Sequence, residues 1–139
     1  FTTAPFFLGI AERAEKLWQN KDTQENLKKA LTDNPGYELI ITGHSLGAGA
    51  ACLLTILLYH DREETPESHP LPWVKIRCFA FACPPVYLQR TKNGGVETAI
   101  INTAAFIHEN DCVPFLSTDA VRRLAKTSMD VDAQTKKDW

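Results

Sequence analysis

The chain has 139 residues, 44% hydrophobic and 23% charged, with a formal net charge of -2. This is the balance of a folded globular chain, because a disordered one has fewer apolar residues and a larger charge excess. With 15 Lys and Arg against 17 Asp and Glu, no basic surplus exists to neutralise phosphates, so no nucleic-acid partner is expected, and the length supports one core rather than two.

Residues 5–33 read as helix. Ile10, Ala14, Leu17 and Trp18 recur at helical spacing between Glu12, Arg13, Glu15 and Lys16. Asn20-Lys21 interrupts the run, and Asp22 with Glu25 has the spacing of a capping box that restarts it, with Leu27, Ala30 and Leu31 continuing the apolar face. Asp33-Asn34-Pro35-Gly36 is a stop signal. Residues 37–42 (YELIIT) read as a buried parallel strand. Residues 48–60 are rich in Ala and Leu with only Thr55 as a polar interruption, and a helix so apolar on all sides should be buried against a sheet. Residues 61–72 are charged and carry three prolines, which predicts a surface loop; 74–82 (VKIRCFAFA) predicts a second strand, ended by Pro84-Pro85. Lys92-Asn93-Gly94-Gly95 predicts a turn, and 96–102 is ambiguous, with a short helix as one reading. Residues 104–108 (AAFIH) predict a third strand, and Ser117 the cap of a last helix reaching about Lys126 with Val121, Leu124 and Ala125 inward. Alternating helices and strands argue for an α/β architecture with a parallel sheet.

Cys52, Cys78, Cys83 and Cys112 make no metal pattern, since four residues separate the middle pair and no His or second Cys pair stands at ligand spacing. Apolar neighbours favour buried free thiols over disulfides. Free thiols and the lack of a visible signal segment weigh toward a cytoplasmic or membrane-associated location. The longest apolar run, 48–59, is too short to cross a bilayer.

Gly43-His44-Ser45-Leu46-Gly47 stands between a predicted strand and a predicted helix. In that setting a G-x-S-x-G sequence is a nucleophile elbow; in isolation it is a glycine-rich turn with an incidental serine. A sharp turn forces the serine backbone into strain, excludes a Cβ at Gly43 and Gly47, and lifts the hydroxyl above the sheet. It also aims the helix N-terminus at the same point, with the Leu46 amide placed to donate to an oxyanion.

Ile41 to Ala51 (ITGHSLGAGAA) resembles the elbow of the class 3 lipases, an α/β-hydrolase family. Cys78 to Pro85 (CFAFACPP) is similar to the strand and proline pair of its diacylglycerol-lipase branch, and Phe106 to Leu116 (FIHENDCVPFL) to its strand-end acid motif. Phe115 departs from the pattern, in which many members carry a basic residue. The resemblance covers nearly the whole chain. It implies a partial α/β-hydrolase core, a mostly parallel sheet with flanking helices, as the central part of one domain over 1–139, truncated at both ends. It further implies a serine ester hydrolase acting on acylglycerols without metal or cofactor, working at a membrane or lipid-droplet surface, with Ser45 as nucleophile, Asp111 as triad acid and Leu46 in the oxyanion hole. The other readings are a non-catalytic lipase-like binding module, or a thioesterase or peptidase on the same fold; for Asp111, the other reading is a turn acceptor.

The family's chain order is Ser, Asp, His. His44, His60, His69 and His108 all precede Asp111. His44 is expected to point away from the nucleophile into supporting packing, His60 to end the elbow helix, and His69 to lie in the surface loop. The general base is therefore expected outside these residues, leaving the isolated chain a poor catalyst.

Overall fold

Three parallel strands form the sheet in the order β1-β2-β3: β1 Leu39–His44, β2 Ile76–Phe81 and β3 Thr103–Phe106. The register pairs Leu39 with Ile76 and Cys78 with Thr103. The computed structural model describes residues 5–87 and 94–117, then 120, 122, 123 and 125–128. Helices α1 (Pro5–Gln19) and α2 (Lys21–Asp33) precede β1; α3 (Leu46–Glu64) crosses from β1 to β2, and α4 (Gly94–Ile101) precedes β3. The strand order advances in one direction, and parallel crossovers are right-handed. Successive crossover helices therefore fall on one face, where α3 packs against α1, α4, β1 and β2.

The sheet is covered by these helices on one side only. β1 alternates, with Leu39, Ile41 and Gly43 half-buried toward the helices and Ile40, Thr42 and His44 exposed. On the open side Ile40, Phe81 and Phe106 are 57%, 44% and 46% exposed, and Phe81 stacks on Phe106 at 4.8 Å between ring centroids. The expected two-sided burial of β1 is thus corrected: within the described residues it is an edge strand with one covered face. Residues 48–60 are buried against the sheet as expected, but not all round: Ala50, Cys52, Leu54, Leu57 and His60 are half-buried, and none is exposed. The core joins Ile10, Ala14 and Trp18 of α1 to Leu53, Ile56 and Leu58 of α3, Ile76 of β2 and Ala99 of α4. Among the described residues no helix is long and apolar enough to cross a membrane.

Small residues set how closely α3 can approach. Ala48 and Ala51 are buried against Cys78 and Ala80 of β2. A Cβ on Gly49 would stand 2.7 Å from Val86 Cγ1, and one on Gly95 2.6 Å from the Tyr59 carbonyl oxygen. The Glu63 side chain accepts a hydrogen bond from the Gly95 amide, so a carboxylate stands at the N-terminus of α4, where the helix dipole favours it.

Several boundaries differ from expectation. Asn20, not Asp22, caps α2, its side chain accepting from the Thr23 amide at 3.0 Å; Asn holds the N-cap geometry as well as Asp does. The α2 stop is as expected, ending at Asp33 with Gly36 at φ 88°. On α2 only Leu27 and Leu31 pack against the core, and Ala30 is exposed; Leu17 of α1 is also half exposed. Gly94 and Gly95 open α4 rather than forming a turn, because Glu63 supplies the cap; Lys92 and Asn93 lie outside the described residues. The Ser117 hydroxyl accepts from the Ala120 amide at 3.1 Å, as an N-cap does, but Ala125 is exposed, not inward; Val121 and Leu124 lie outside the described residues. Cys112 is exposed, unlike the other three thiols.

The elbow helix also runs one turn past His60, and the region after it is not a surface loop throughout. His69 and Leu71 are buried. His69 Nδ1 accepts from the Leu71 amide at 3.1 Å, and the ring stacks on Trp18 at 5.5 Å. Trp18 in turn donates to Asp61 at 2.7 Å. Hydropathy missed this because His69 is held by a ring stack and a short backbone bond instead of an apolar side chain. Burial lowers the His69 pKa from its ordinary 6.5.

Two predictions follow from this packing. A Cβ at Gly43 would meet the Gly47 carbonyl and stand 2.7 Å from the Ala48 nitrogen, all backbone atoms, whereas a Cβ at Gly47 meets nothing within 4 Å. Gly43→Ala should therefore cost about 1–3 kcal/mol in urea unfolding, while Gly47→Ala should be neutral or stabilise by up to ~1 kcal/mol. The expectation that both glycines are sterically required is corrected to Gly43 alone. For His69, the folded pKa lies below the unfolded value, so the unfolded chain binds more protons as pH falls through 6.5 and stability declines. The urea midpoint should fall between pH 7.5 and 5.5, and His69→Gln should flatten that dependence; an unchanged slope would assign it to another group.

Candidate active site

The carboxyl ends of the three strands carry the molecule's unusual backbone. Among the described residues the non-glycine positions with positive φ are Ser45 at 55°, Ala82 at 51° and Glu109 at 42°. Ser45 directly follows β1, Ala82 directly follows β2, and Glu109 lies three residues past β3. Side chains avoid this region sterically, and each such residue persists only where surrounding structure enforces it. The enforcement at the first two is visible: the Ser45 amide donates to the Phe81 carbonyl at 2.9 Å, and the Ala82 amide to the Phe106 carbonyl at 2.9 Å. The turns thus extend the sheet's ladder one step past the strands.

Ser45 is the N-cap of α3, with φ 55° and ψ -123° and no side-chain capping bond. Its hydroxyl is therefore not spent on the helix. Its carbonyl accepts from the Ala48 amide at 3.0 Å and the Gly49 amide at 3.2 Å. Leu46 and Gly47 open the helix, and first-turn amides have no carbonyl four residues back within it. The Leu46 side chain is exposed. The local arrangement is a half-buried serine at the positive end of a 19-residue helix.

Asp111 is half-buried beyond β3. Its Oδ1 accepts from the Val113 amide at 3.0 Å, and its own amide donates to the His108 carbonyl at 2.9 Å. These bonds fix the loop before a short 3-10 turn, Val113–Phe115, which sequence reading did not identify. Phe115, where the family pattern differs, is exposed, so its identity is not dictated by the core.

Asp111 opens onto a concavity of about 690 Å³ on the uncovered side of the sheet, lined also by His44, Phe81, Phe106, His108 and Val113. Ser45 does not line it; the serine directly follows β1, on the turn into α3. His44 corrects an expectation: it is exposed and faces this concavity, because the strand's alternation places it with Ile40 and Thr42. The structure thus brings Asp111, His44 and His108 to one hollow and sets Ser45 at the adjoining strand end. His60 is on α3 and His69 in the core, both away from this hollow. Ala82 and Glu109 were missed, since neither residue type marks a positive φ in sequence. Among the described residues no group of His, Cys, Asp and Glu could hold a metal ion.

A family model described as Lipase (class 3) matches residues 3–121. The chain belongs to the class 3 lipase family. It is 29% identical over 124 residues to diacylglycerol lipase-beta of Mus musculus, covering 88% of this chain and 15% of that protein. It is 35% identical over 98 residues to secreted mono- and diacylglycerol lipase A of Penicillium cyclopium, covering 68% of this chain and 27% of the relative. Among solved structures it resembles a mutant form of the Penicillium cyclopium enzyme MDLA, with a TM-score of 0.55 and 27% identity over 82% of this chain and 37% of that one. It also shares its fold with lipase from Rhizopus microsporus var. chinensis, with a TM-score of 0.57 and 24% identity over 87% and 42%. The class 3 lipase segment described here therefore spans well under half the length of these relatives.

The strain at Ser45 gives a test that needs no substrate. Ser45→Gly should raise stability by about 1 kcal/mol in urea unfolding, because glycine adopts a positive φ without steric cost. Ser45→Ala keeps the Cβ and should leave stability nearly unchanged. Equal effects of the two substitutions would place the strain elsewhere.

Proposed function

We propose that this chain is the nucleophile-bearing part of an acylglycerol lipase, in which Ser45 attacks the acyl ester and Asp111 is the triad acid. The observation that carries the reading is the backbone of Ser45: a non-glycine residue at φ 55° on the strand-to-helix turn, with its side chain unused in capping. Such strain is maintained where a group must be presented. Family membership and the names of the relatives, diacylglycerol lipase and mono- and diacylglycerol lipase, supply the substrate class.

In the proposed reaction the Ser45 hydroxyl adds to the ester carbonyl as a general base takes its proton, and the oxyanion is stabilised by the Leu46 amide at the positive end of α3. The alcohol leaves with that proton, and water then releases the fatty acid from the acyl-enzyme. The ends of β1 and β3 are separated by β2, and two strand spacings amount to roughly 10 Å. That gap is too wide for direct contact between a hydroxyl and a carboxylate, and it suits an imidazole standing between them. The family's Ser, Asp, His order assigns the imidazole to sequence outside these residues, since all four histidines precede Asp111. His44 and His108 share a hollow with Asp111, but neither follows the acid in sequence as the family's base does. The lipid substrate would be met at a membrane or droplet surface.

Retention of a strained, uncommitted serine weighs against a binding module without chemistry. The full-length protein should hydrolyse diacylglycerol and label with a fluorophosphonate at Ser45. Ser45→Ala should abolish labelling and lower kcat by roughly 10³-fold or more, and Asp111→Asn by a comparable factor. The 139-residue chain alone should show background ester hydrolysis only. Absence of labelling in the full-length protein would favour the binding module, and a preference for thioesters or peptides would move the substrate class.

A further inference from the structure

Three thiols gather behind the elbow, and catalysis as proposed uses none of them. Cys52 lies on α3, Cys78 on β2, and Cys83 in the segment that leaves β2. Cys52 Sγ and Cys83 Sγ are 3.6 Å apart across 31 residues of chain, both half-buried, while Cys78 is fully buried. A disulfide needs its sulfurs at about 2.05 Å, so closure requires a shift of about 1.5 Å between them, within the reach of side-chain rotation.

The two elements that carry these thiols also pack on each other. Gly49 and Cys52 are three residues apart on α3 and so share a face of the helix. A Cβ on Gly49 would stand 3.3 Å from Pro84 Cγ and 2.7 Å from Val86 Cγ1. The helix face that carries Cys52 therefore lies directly against the residues that follow Cys83. Cys83 Sγ also donates to the Pro84 carbonyl at 3.3 Å, which holds it on this side.

We propose that Cys52 and Cys83 form a redox-responsive pair, which a peroxide converts into a disulfide linking α3 to the segment leaving β2. The Cys83 thiolate attacks one oxygen of hydrogen peroxide: an S–O bond forms, the O–O bond breaks, and the second oxygen departs as water after taking up a proton. The Cys52 sulfur then attacks the Cys83 sulfenic acid. An S–S bond forms, the S–O bond breaks, and the oxygen leaves as water with the Cys52 proton. Each sulfur has lost one electron, and the peroxide has taken both. Thiol hydrogen bonds from Cys52 to Cys78 and Cys83 push the Cys52 pKa up and lower those of Cys78, to about 7, and of Cys83. Exposure decides the order of attack: Cys78 is fully buried, whereas Cys83 is half-buried and open to a peroxide. The cross-link would fasten the elbow helix to the sheet without touching Ser45 or Asp111, and it does not depend on the lipase reading.

The test treats the full-length protein with hydrogen peroxide, then maps peptides without reduction. Chymotrypsin can cut after Phe79 and Phe81, separating Cys78 from Cys83. A linked pair of peptides carrying Cys52 and Cys83, lighter than their sum by two hydrogens and split by dithiothreitol, is expected. The oxidised protein should unfold a few degrees higher, and that rise should vanish in Cys83→Ser and persist in Cys112→Ser. Linkage through Cys78 or Cys112, oxidation beyond sulfenic acid at Cys83 without a cross-link, or no peroxide-dependent linkage would each overturn the proposal. If Cys83→Ser fails to fold, the peptide map of the unaltered protein decides by itself.

Discussion

The structure depends on how closely α3 can lie against its surroundings. At its N-terminus the Gly47 carbonyl occupies the space a Cβ on Gly43 would fill. Along its length Ala48 and Ala51 meet Cys78 and Ala80, Gly49 meets Pro84 and Val86, and Gly95 of α4 meets Tyr59. Every one of these contacts involves a residue with little or no side chain. Enlarging any of them would push α3 outward, and well-packed interiors do not absorb such volume cheaply. A helix held this tightly fixes the turn before it, and that turn fixes the Ser45 backbone.

The same contacts explain why strain gathers at one edge of the sheet. Ser45 and Ala82 take positive φ because each must donate its amide to the end of the neighbouring strand, Phe81 or Phe106, while the chain turns away. The register is thereby carried past the last regular pair, and the carboxyl edge becomes a rigid rim. In open α/β sheets that edge is where ligands bind. Here the rim holds the serine at the positive end of a helix and, two strands away, a carboxylate fixed by the Val113 amide. On the uncovered sheet side, the exposed Phe81 and Phe106 line the hollow beside that carboxylate.

The polar anchors of the helical side follow a different logic. Tyr59 donates to the Ile76 carbonyl at 2.8 Å from within the core, Arg62 donates to the Leu71 carbonyl at 2.7 Å, and Glu63 meets the Gly95 amide. These three side chains come from the last two turns of α3. They tie down the chain that returns to β2 and the start of α4, which is why the segment after α3 is more ordered by the fold than its prolines and charges suggest. An unpaired donor or acceptor in these places would cost more than the bond itself contributes.

Much of this was legible in the residues. The strand-to-helix turn at Ser45, the apolar helix after it and the stop at Pro35-Gly36 rest on local rules, glycine spacing and hydropathy period, each readable from near neighbours in sequence; the role proposed for Asp111 came from the family resemblance. The resemblance to class 3 lipases rested on three such stretches. What the sequence could not decide depends on partners distant in the chain. That Gly43 needs its missing side chain and Gly47 does not follows from where the Gly47 carbonyl turns. The exposure of His44 follows from which side of β1 the helices cover, and the burial of His69 from a ring stack with Trp18, 51 positions earlier. The meeting of Cys52 and Cys83 at 3.6 Å follows from the close seat of α3 on β2. Local pattern determined which elements form and which residues are candidates for chemistry. Tertiary packing alone decided which side chains meet, because only the folded chain brings residues tens of positions apart within reach of one another.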